Sequence, residues 1–525
     1  MDMARILGIG GLDHNGSICI VEDGVLTSFS ELERINRQKN SGIKESKDIE
    51  LLLKHLSIDS VDYVAVGDLY WWGENEYWLR PWIENRFPTT TISIFHHHLC
   101  HLSTAFFLSP YEDSIAIAID GKGDSVATSW ALANRSVELK IHGAQSSKFS
   151  LGRLWWAFSE ACGFPGHHSA GKTMAYASLG TSRQLLLSIL RWNDLEFSLE
   201  HEGMTQQDWR EIDKIQTWCE GLLDQGVFST KSDMAAELQE LTIQIGTHLA
   251  SELVQRTGVK NICLAGGVAL NGLMNQAISE LDAVERVFVP PTTDDRGLSI
   301  GAAFLAAYKF GDTISPSERF SPYLGPSMKV SQGFLTDGFE EFQSDRDVFH
   351  DVADILSNDG LVAWHQGRSE AGPRALCHRS LLATPTKKNL SERINSEVKH
   401  REWFRPFGCS LRAEDAHEWL MIEGDSPYML RIVKVNPMRM EEVAGIAHLD
   451  GTTRPHLVTE NELPELHRIL SILAQSGYPP MVLNTSLNRR GEPLSETVQD
   501  TFEIALAMNV DAVYIDGRLW KNTRM

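Results

Sequence analysis

SIAIAIDGKGDSVATSWALAN, residues 114 to 134, alternates Ile and Ala up to Asp120, breaks at Gly121 and Gly123, and resumes as a second apolar run. That is the pattern of a strand, a tight polar turn and a second strand. SVELKIHGAQS (136–146) supplies a third. About a hundred residues earlier, ARILGIG (4–10), GSICIVEDG (16–24) and VLTSFSELER (25–34) run on the same plan and lead into a charged helical segment.

Two such copies, each opening on a hairpin whose turn points at a ligand, predict an α/β fold with a duplicated, two-lobed, actin-like nucleotide-binding domain at the N-terminus. Residues 181–256 read as mostly helical, and SDMAAELQELTIQIGTHLASELVQRTG is an amphipathic run ended by Gly258. Pro316, Pro322 and Pro326 among Gly and Ser place a connection within about 311–345. The expected domains are therefore 1–330 and 340–525, the second a further α/β block. A chain of 525 residues is long enough for two cores.

A net charge of −22 argues against a nucleic-acid or anionic-membrane partner, since both need a broad positive field. Seven cysteines without a CxxC pair suggest reduced thiols and no zinc ribbon. The start, MDMARILGIGGLDHNG, lacks a signal-peptide pattern, and no apolar run approaches membrane-spanning length, so a cytoplasmic location is expected.

HHHLCH (96–101) follows a strand-like run and precedes an apolar helical one. At a helix start, His97 and His101 share one face at i, i+4, as two metal ligands must; His98 and His101 at i, i+3 compete, and capping or solvation is the commoner fate of such a run. A carboxylate from elsewhere is required. Asp120 ends a buried strand, where open α/β sheets bind ligands, and Asp294 or Asp295 in TTDDRG are the other candidates. Gly266 and Gly267 stand between a strand and a helix, a place where backbone can approach a flat ligand. HHSAGKTMAYASLG carries GKT without the glycine spacing of a P-loop, which excludes a Walker ATPase. Residues 361–410 hold nine Lys or Arg against four Glu, inverting the charge of the whole chain. Arg374, Arg379, Lys399, Arg401 and Arg405 lie there among Gly, Pro and aromatic residues, which suggests an anion pocket. Arg454 in DGTTRPH and the polar loop Asn484, Thr485, Ser486, Asn488 follow.

With HNGS, ERINRQK, HHLCH, DGKGD, AGKTMAYASLG, GGVALNG, DDRGLSIGAA, EAGPRALCHRS, VKHREWFRPF, DGTTRPH and NTSLNRRGEP in this order, the chain resembles the O-carbamoyltransferases of antibiotic and nodulation-factor biosynthesis over nearly its full length. The resemblance implies an N-terminal TsaD-like domain of the actin type (ASKHA) and a C-terminal YrdC-like domain. It implies that carbamoyl phosphate and ATP, with Mg2+, give carbamoyladenylate, whose carbamoyl group passes to a hydroxyl of a small natural product. It also implies site residues: His97, His101, Asp120 and Asp295 for a divalent metal, Fe2+ first, with Zn2+ or Mn2+ nearly as well suited. His14 becomes the general base, since an imidazole titrates near neutrality. Lys39, Asp120, Gly171, Lys172, Gly267 and Asn271 would line the nucleotide. Arg374, Lys399, Arg405 and Arg454, with Asn484 and Ser486 beside them, would bind carbamoyl phosphate, and Arg374 and Lys399 would neutralise the leaving phosphate. Three positions depart from the family pattern: Ala170 replaces a common Glu, Cys377 a Gly and His456 a Gln. A tRNA threonylcarbamoyl transfer enzyme is the rival reading, opposed by the acidic charge, and a silent nucleotide-binding regulator is the third, opposed by the retained base and ligand pattern. The sequence allows for a homo-oligomer.

Overall fold

Apolar runs Arg5–Gly10 (β1), Ser17–Glu22 (β2) and Val25–Glu31 (β3) zip into an antiparallel meander in a computed structural model that describes residues 4–328, 330 and 338–524. The β2–β3 turn is Asp23-Gly24, both at positive φ, as a two-residue hairpin of this hand requires. Tyr63–Gly67 (β4) adds parallel to β1 and Thr91–Phe95 (β5) parallel to β4, giving the order β3-β2-β1-β4-β5. Asp113–Gly123 (β6), Val126–Asn134 (β7) and Gly143–Ser146 (β8) form a second meander. The strand Asn261–Ala265 joins β6 in parallel, and Arg286–Phe288 joins that strand in parallel. Order and sense of the first sheet thus recur strand for strand in the second.

The helix Leu298–Phe310 packs on β1, β2 and β4, the helix His97–Phe107 packs on β6, and the two helices pack on each other. Their seam is made of small residues. A Cβ on Gly301 would overlap the Cys100 carbonyl, and one on Gly8 would overlap that of Ser299. The run Gly301, Ala302, Ala303, Ala306, Ala307 is buried on all sides, as befits a helix enclosed by protein. Ile115, Ile117 and Ile119 of β6 are buried too, each contributing roughly 1.5–3 kcal/mol. The segment read as mostly helical contains a hairpin, Leu190–Asn193 with Glu196–Leu199. Asp194 takes a positive φ at its turn, and Trp192 packs on Phe197, a cross-strand aromatic pair that outweighs the helical pattern on either side.

The chain divides into two compact units, 1–32 with 41–320, and 33–40 with 321–525. Both are mixed α/β. Glu33–Asn40, read from sequence with the first domain, lies in the second unit, and the chain enters that unit for good at Ser321. Residues 329 and 331–337 of the expected connection, and 1–3 and 525 at the ends, lie outside the described residues. In the second unit the strands Val362–His365, Arg379–Ala383, Met481–Ser486, Gly408–Arg412 and Thr452–Val458 lie side by side in that order within a ten-stranded sheet. Alternation sorts their side chains: Leu381, Leu411, Leu457 and Leu483 face one core, while Leu382, Val458 and Val482 face another under the helices Val348–Ser357 and Pro464–Gln475. On that second face the apolar stripe gives way along the strands to Ser410, His456 and Asn484, then to Arg454 and Ser486. Among the described residues no helix is long and apolar enough to cross a membrane, and all seven cysteines are buried and outside any disulfide.

Candidate functional site

His96 caps the helix His97–Phe107, its ring accepting from the His98 amide at 3.2 Å. The next turn points His97 and His101 the same way, with their Nε2 atoms 3.1 Å apart. Asp120 near the end of β6 and Asp295 ahead of the helix Leu298–Phe310 close on them. His97 Nε2 lies 3.6 Å from a carboxylate oxygen of each, and His101 Nε2 lies 3.3 Å from Asp295. One ligand-type atom from each of the four falls within 4.8 Å of all the others. These separations resemble the edges of a coordination polyhedron, about 3.4 Å for a tetrahedron with ligand distances near 2.1 Å. Packing makes room for the cluster: a Cβ on Gly123 would overlap the His97 ring.

His98, the alternative partner, turns away and is fully buried against Ser129 Oγ (2.9 Å) and the Val126 carbonyl (3.1 Å). Burial, with His97 and His101 nearby, pushes its pKa well down and keeps it neutral. His97 behaves oppositely. Burial opposes its charge, but Asp295, Asp120 and Asp68 together raise its pKa well above the usual value. Asp120 stays ionised despite burial because the histidines hold its pKa well down. Burial likewise raises and His97 and His14 lower that of Asp295, with a net fall.

Two orienting residues escaped the sequence reading. Asp68 lies 3.1 Å from His97 Nδ1 and caps the helix Leu69–Arg86. The Asp124 carboxylate accepts from the backbone N–H of His97 (2.7 Å) and Tyr70 (2.6 Å). Asp68 follows the buried strand YVAVG just as Asp120 closes SIAIAID, so the signal was present. An orienter on Nδ1 aims His97 Nε2 at His101 Nε2 and two carboxylates, where a cation would take the place of the Nε2 proton. That donor set suits a cation at its centre.

His14 sits in the β1–β2 connection, bridged to Ser41, with Nε2 3.5 Å from Asp295 and a side chain 35% exposed. It is thus at the edge of the cluster and half-buried. The Gly267 amide donates to Asp120 Oδ1 at 2.9 Å. Asn271 caps the helix Gly272–Ser279 and exchanges hydrogen bonds with Gln239 (3.1 and 2.9 Å), so its amide is occupied within the fold. Ala170, Gly171 and Lys172 start the helix Ala170–Ala177, with Gly171 exposed. Lys39 is not in this unit; it adds to the positive charge around Lys399.

In the second unit Lys399 follows a π-helical turn, Ile394–Val398. Its ammonium donates to the carbonyls of Ser486 (2.7 Å) and Asn488 (2.7 Å) and to Asn488 Oδ1 (2.8 Å), so in this conformation its protons clamp the 484–488 loop. Burial, then Arg401, Lys39 and Arg405, push its pKa well down. Arg454 is lowered well below the usual arginine value by burial, then by Arg374, Arg405 and Arg401. Arg401 is pushed down to about 9 by burial, with Arg405 adding repulsion. Four arginines and two lysines thus face one another's charge. Arg379 does not join them: fully buried, it donates to the carbonyls of Gln366, Gly367, His378 and Glu496. Asn484 Nδ2 donates to Ser410 Oγ (2.9 Å) and the Ala375 carbonyl (3.0 Å), while its buried Oδ1 finds no partner among the described residues. Ser486 Oγ bonds Asn488 Oδ1 at 2.6 Å. The two second-unit departures from the family pattern meet: Cys377 Sγ is 3.7 Å from His456 Nδ1, and both touch Ser410. Cys377 holds φ +68°, a conformation made for glycine.

Residues 84–304 match a family model described as carbamoyltransferase N-terminus, and residues 353–522 one described as carbamoyltransferase C-terminus. The nodulation protein NolNO of Sinorhizobium fredii is 28% identical over 547 residues, covering 97% of this chain and 79% of that protein. The 3'-hydroxymethylcephem-O-carbamoyltransferase of Amycolatopsis lactamdurans is 29% identical over 520 residues, covering 93% and 94%. Among solved structures, full-length HypF in its phosphate- and nucleotide-bound form aligns with 59% of this chain and 56% of its own, at 13% identity and a TM-score of 0.40.

Proposed function

This chain belongs to the carbamoyltransferase family and is an enzyme of that kind; on that footing we propose that it is an ATP-dependent O-carbamoyltransferase acting on a hydroxyl of a small natural-product acceptor. In the second unit, read as YrdC-like, water cleaves carbamoyl phosphate to carbamate and phosphate, and a carbamate oxygen attacks the α-phosphorus of ATP to give carbamoyladenylate and pyrophosphate; the first unit, read as an actin-like TsaD-type domain from its repeated sheet order, carries out the transfer.

The observation that carries the reading is the crowd of like charges in the second unit. Arg374, Arg401, Arg405 and Arg454 repel one another where burial already penalises charge. A bound phosphate would reverse that penalty, and arginine forks would fix its orientation. Asn484 Oδ1, a buried acceptor without a donor, suits the carbamoyl NH2, which a phosphate alone would lack. Lys399 holds the loop that carries Ser486 and Asn488. In the first unit His97, His101, Asp120 and Asp295 would hold a divalent ion, with Fe2+, Zn2+ and Mn2+ all compatible with two imidazoles and two carboxylates. Bound there, such an ion would supply Lewis-acid polarisation of an oxygen. His14 accepts the acceptor's hydroxyl proton, the acceptor oxygen bonds the carbamoyl carbon, and AMP departs; Asp295, 3.5 Å from His14 Nε2, steadies the imidazolium so formed.

The two units divide the labour, and this is testable. His14→Ala should abolish acceptor carbamoylation while leaving carbamoyl-phosphate-dependent ATP–pyrophosphate exchange within about twofold. Arg374→Ala should lower both by on the order of 10²–10³-fold, the scale of a lost charge-stabilising contact. Equal loss of both activities in His14→Ala would refute the division.

A further inference from the structure

The helix Leu69–Arg86 starts at Asp68, the residue that orients His97, and its first turn carries two neighbouring rings outward. Tyr70 is 50% exposed and meets Trp71 edge to face at 5.1 Å. Each ring has a lysine over it. Lys122 Nζ stands 5.3 Å from the Tyr70 centroid, and Lys44 Nζ stands 5.7 Å from that of Trp71. Both lysines are exposed, and the Lys44 side chain is 56% open even though it pairs with Asp13 at 2.9 Å.

Three contacts tie this shelf to the histidine cluster. Asp124 holds the Tyr70 and His97 amides on one carboxylate. Lys122 lies two residues from Asp120. Asp13, the partner of Lys44, is next to His14, whose strand bridge to Ser41 fixes the same turn. The nearest acids are engaged within the protein: Asp124 by backbone N–H groups, Asp68 by His97 and the Trp71 amide, Asp13 by Lys44, and Asp120 and Asp295 by the histidines. The shelf therefore offers two rings and two ammonium groups beside a half-buried imidazole. In a chain of net charge −22, that is a local site for an anion with a flat body.

We propose that Tyr70, Trp71, Lys44 and Lys122 form the acceptor-recognition shelf, and that the acceptor is a hydroxyl-bearing small molecule with a flat ring and a carboxylate. The ring lies on Trp71 and Tyr70, the carboxylate meets the lysines, and the hydroxyl reaches His14. This rests on the carbamoyl-transfer reading for the role of His14, but the recognition itself does not.

The test uses 4-(hydroxymethyl)benzoate and uncharged benzyl alcohol as probes, with binding to the full chain followed by calorimetry. The carboxylate probe should bind at least about tenfold more tightly, of the order a charge-assisted contact provides. Trp71→Ala should weaken it about tenfold, and Trp71→Phe should restore most of the loss. Lys44→Gln with Lys122→Gln should erase the preference between probes. In all these variants ATP–pyrophosphate exchange stays at the wild-type level, which also certifies folding. Equal binding of the two probes, no binding of either, or an unaffected Trp71→Ala overturns the proposal. A wild-type protein that discriminates the probes yet shows no exchange instead sinks the carbamoyl-transfer reading and leaves the shelf standing.

Discussion

The two clusters gather charge in opposite ways. Around His97 acids and imidazoles interleave, and each ionised group is held charged by a neighbour of the other sign. Around Arg454 the charges share one sign, and burial is aggravated by neighbours. The first is balanced within the protein but for a cation's worth of negative charge; in the second Glu402, 3.6 Å from Arg405, offsets one cation and leaves an excess of positive charge that suits an anion from outside. Function-bearing charge can thus be recognised by what it lacks. Structural charge in the same fold is met from within the protein: Arg34, brought into the second unit by the 33–40 excursion, donates to the carbonyls of Glu370 (2.9 Å) and Gly372 (3.0 Å) and lies 3.8 Å from Glu496.

That contrast sets the largest further effect. Arg34→Met strips a buried carboxylate of its cation and should cost the second unit about 3–5 kcal/mol, read as faster hydrogen exchange across 362–515. An unchanged exchange pattern would erase the distinction between an arginine set against a carboxylate and arginines set against one another. A smaller effect concerns the balanced cluster. Asp68→Asn removes the orienter of His97 and should weaken binding of titrated Mn2+ about 10- to 100-fold with little change in melting temperature. Should affinity hold, the cluster does not depend on its second layer.

The smallest effect separates the histidines of the two units. Burial pushes His378 down to about 4, with Arg379 adding to it, whereas an unfolded histidine titrates near about 6.5. Between those values the unfolded chain binds more protons, so this contribution is complete above about 6.5 and drains away as pH falls toward 4. From pH 7 to pH 5 His378 should account for about 2 kcal/mol of the loss in urea unfolding of the second unit, and His378→Asn should remove that share, leaving the part that comes from His365 and His448, which burial also lowers.

Much of this was legible where local pattern and burial agree. The strands of both meanders stand out because β-branched runs end on Gly and Asp, and the i, i+4 spacing of His97 and His101 is the one that brings their Nε2 atoms together. Legibility fails where partners are remote. Arg374 and Arg379 look alike in GPRALCHRS, yet one sits in a loop among cations and the other lies on a central strand, wrapped in carbonyls. Lys39 reads as part of the first domain because its neighbours in sequence are. Cys377 looks like a chance departure until its φ and its contact with His456 tie the two substitutions into one local adjustment.

The excursion at 33–40 also imposes a timetable. Arg34 finds its carbonyl acceptors 336 and 338 residues downstream. At about 5–20 residues per second of synthesis, ERINRQKN waits on the order of 20 to 70 seconds for its seat to emerge. For that interval the flanking strands can already be paired, while a basic loop between them stays open to any passing acid.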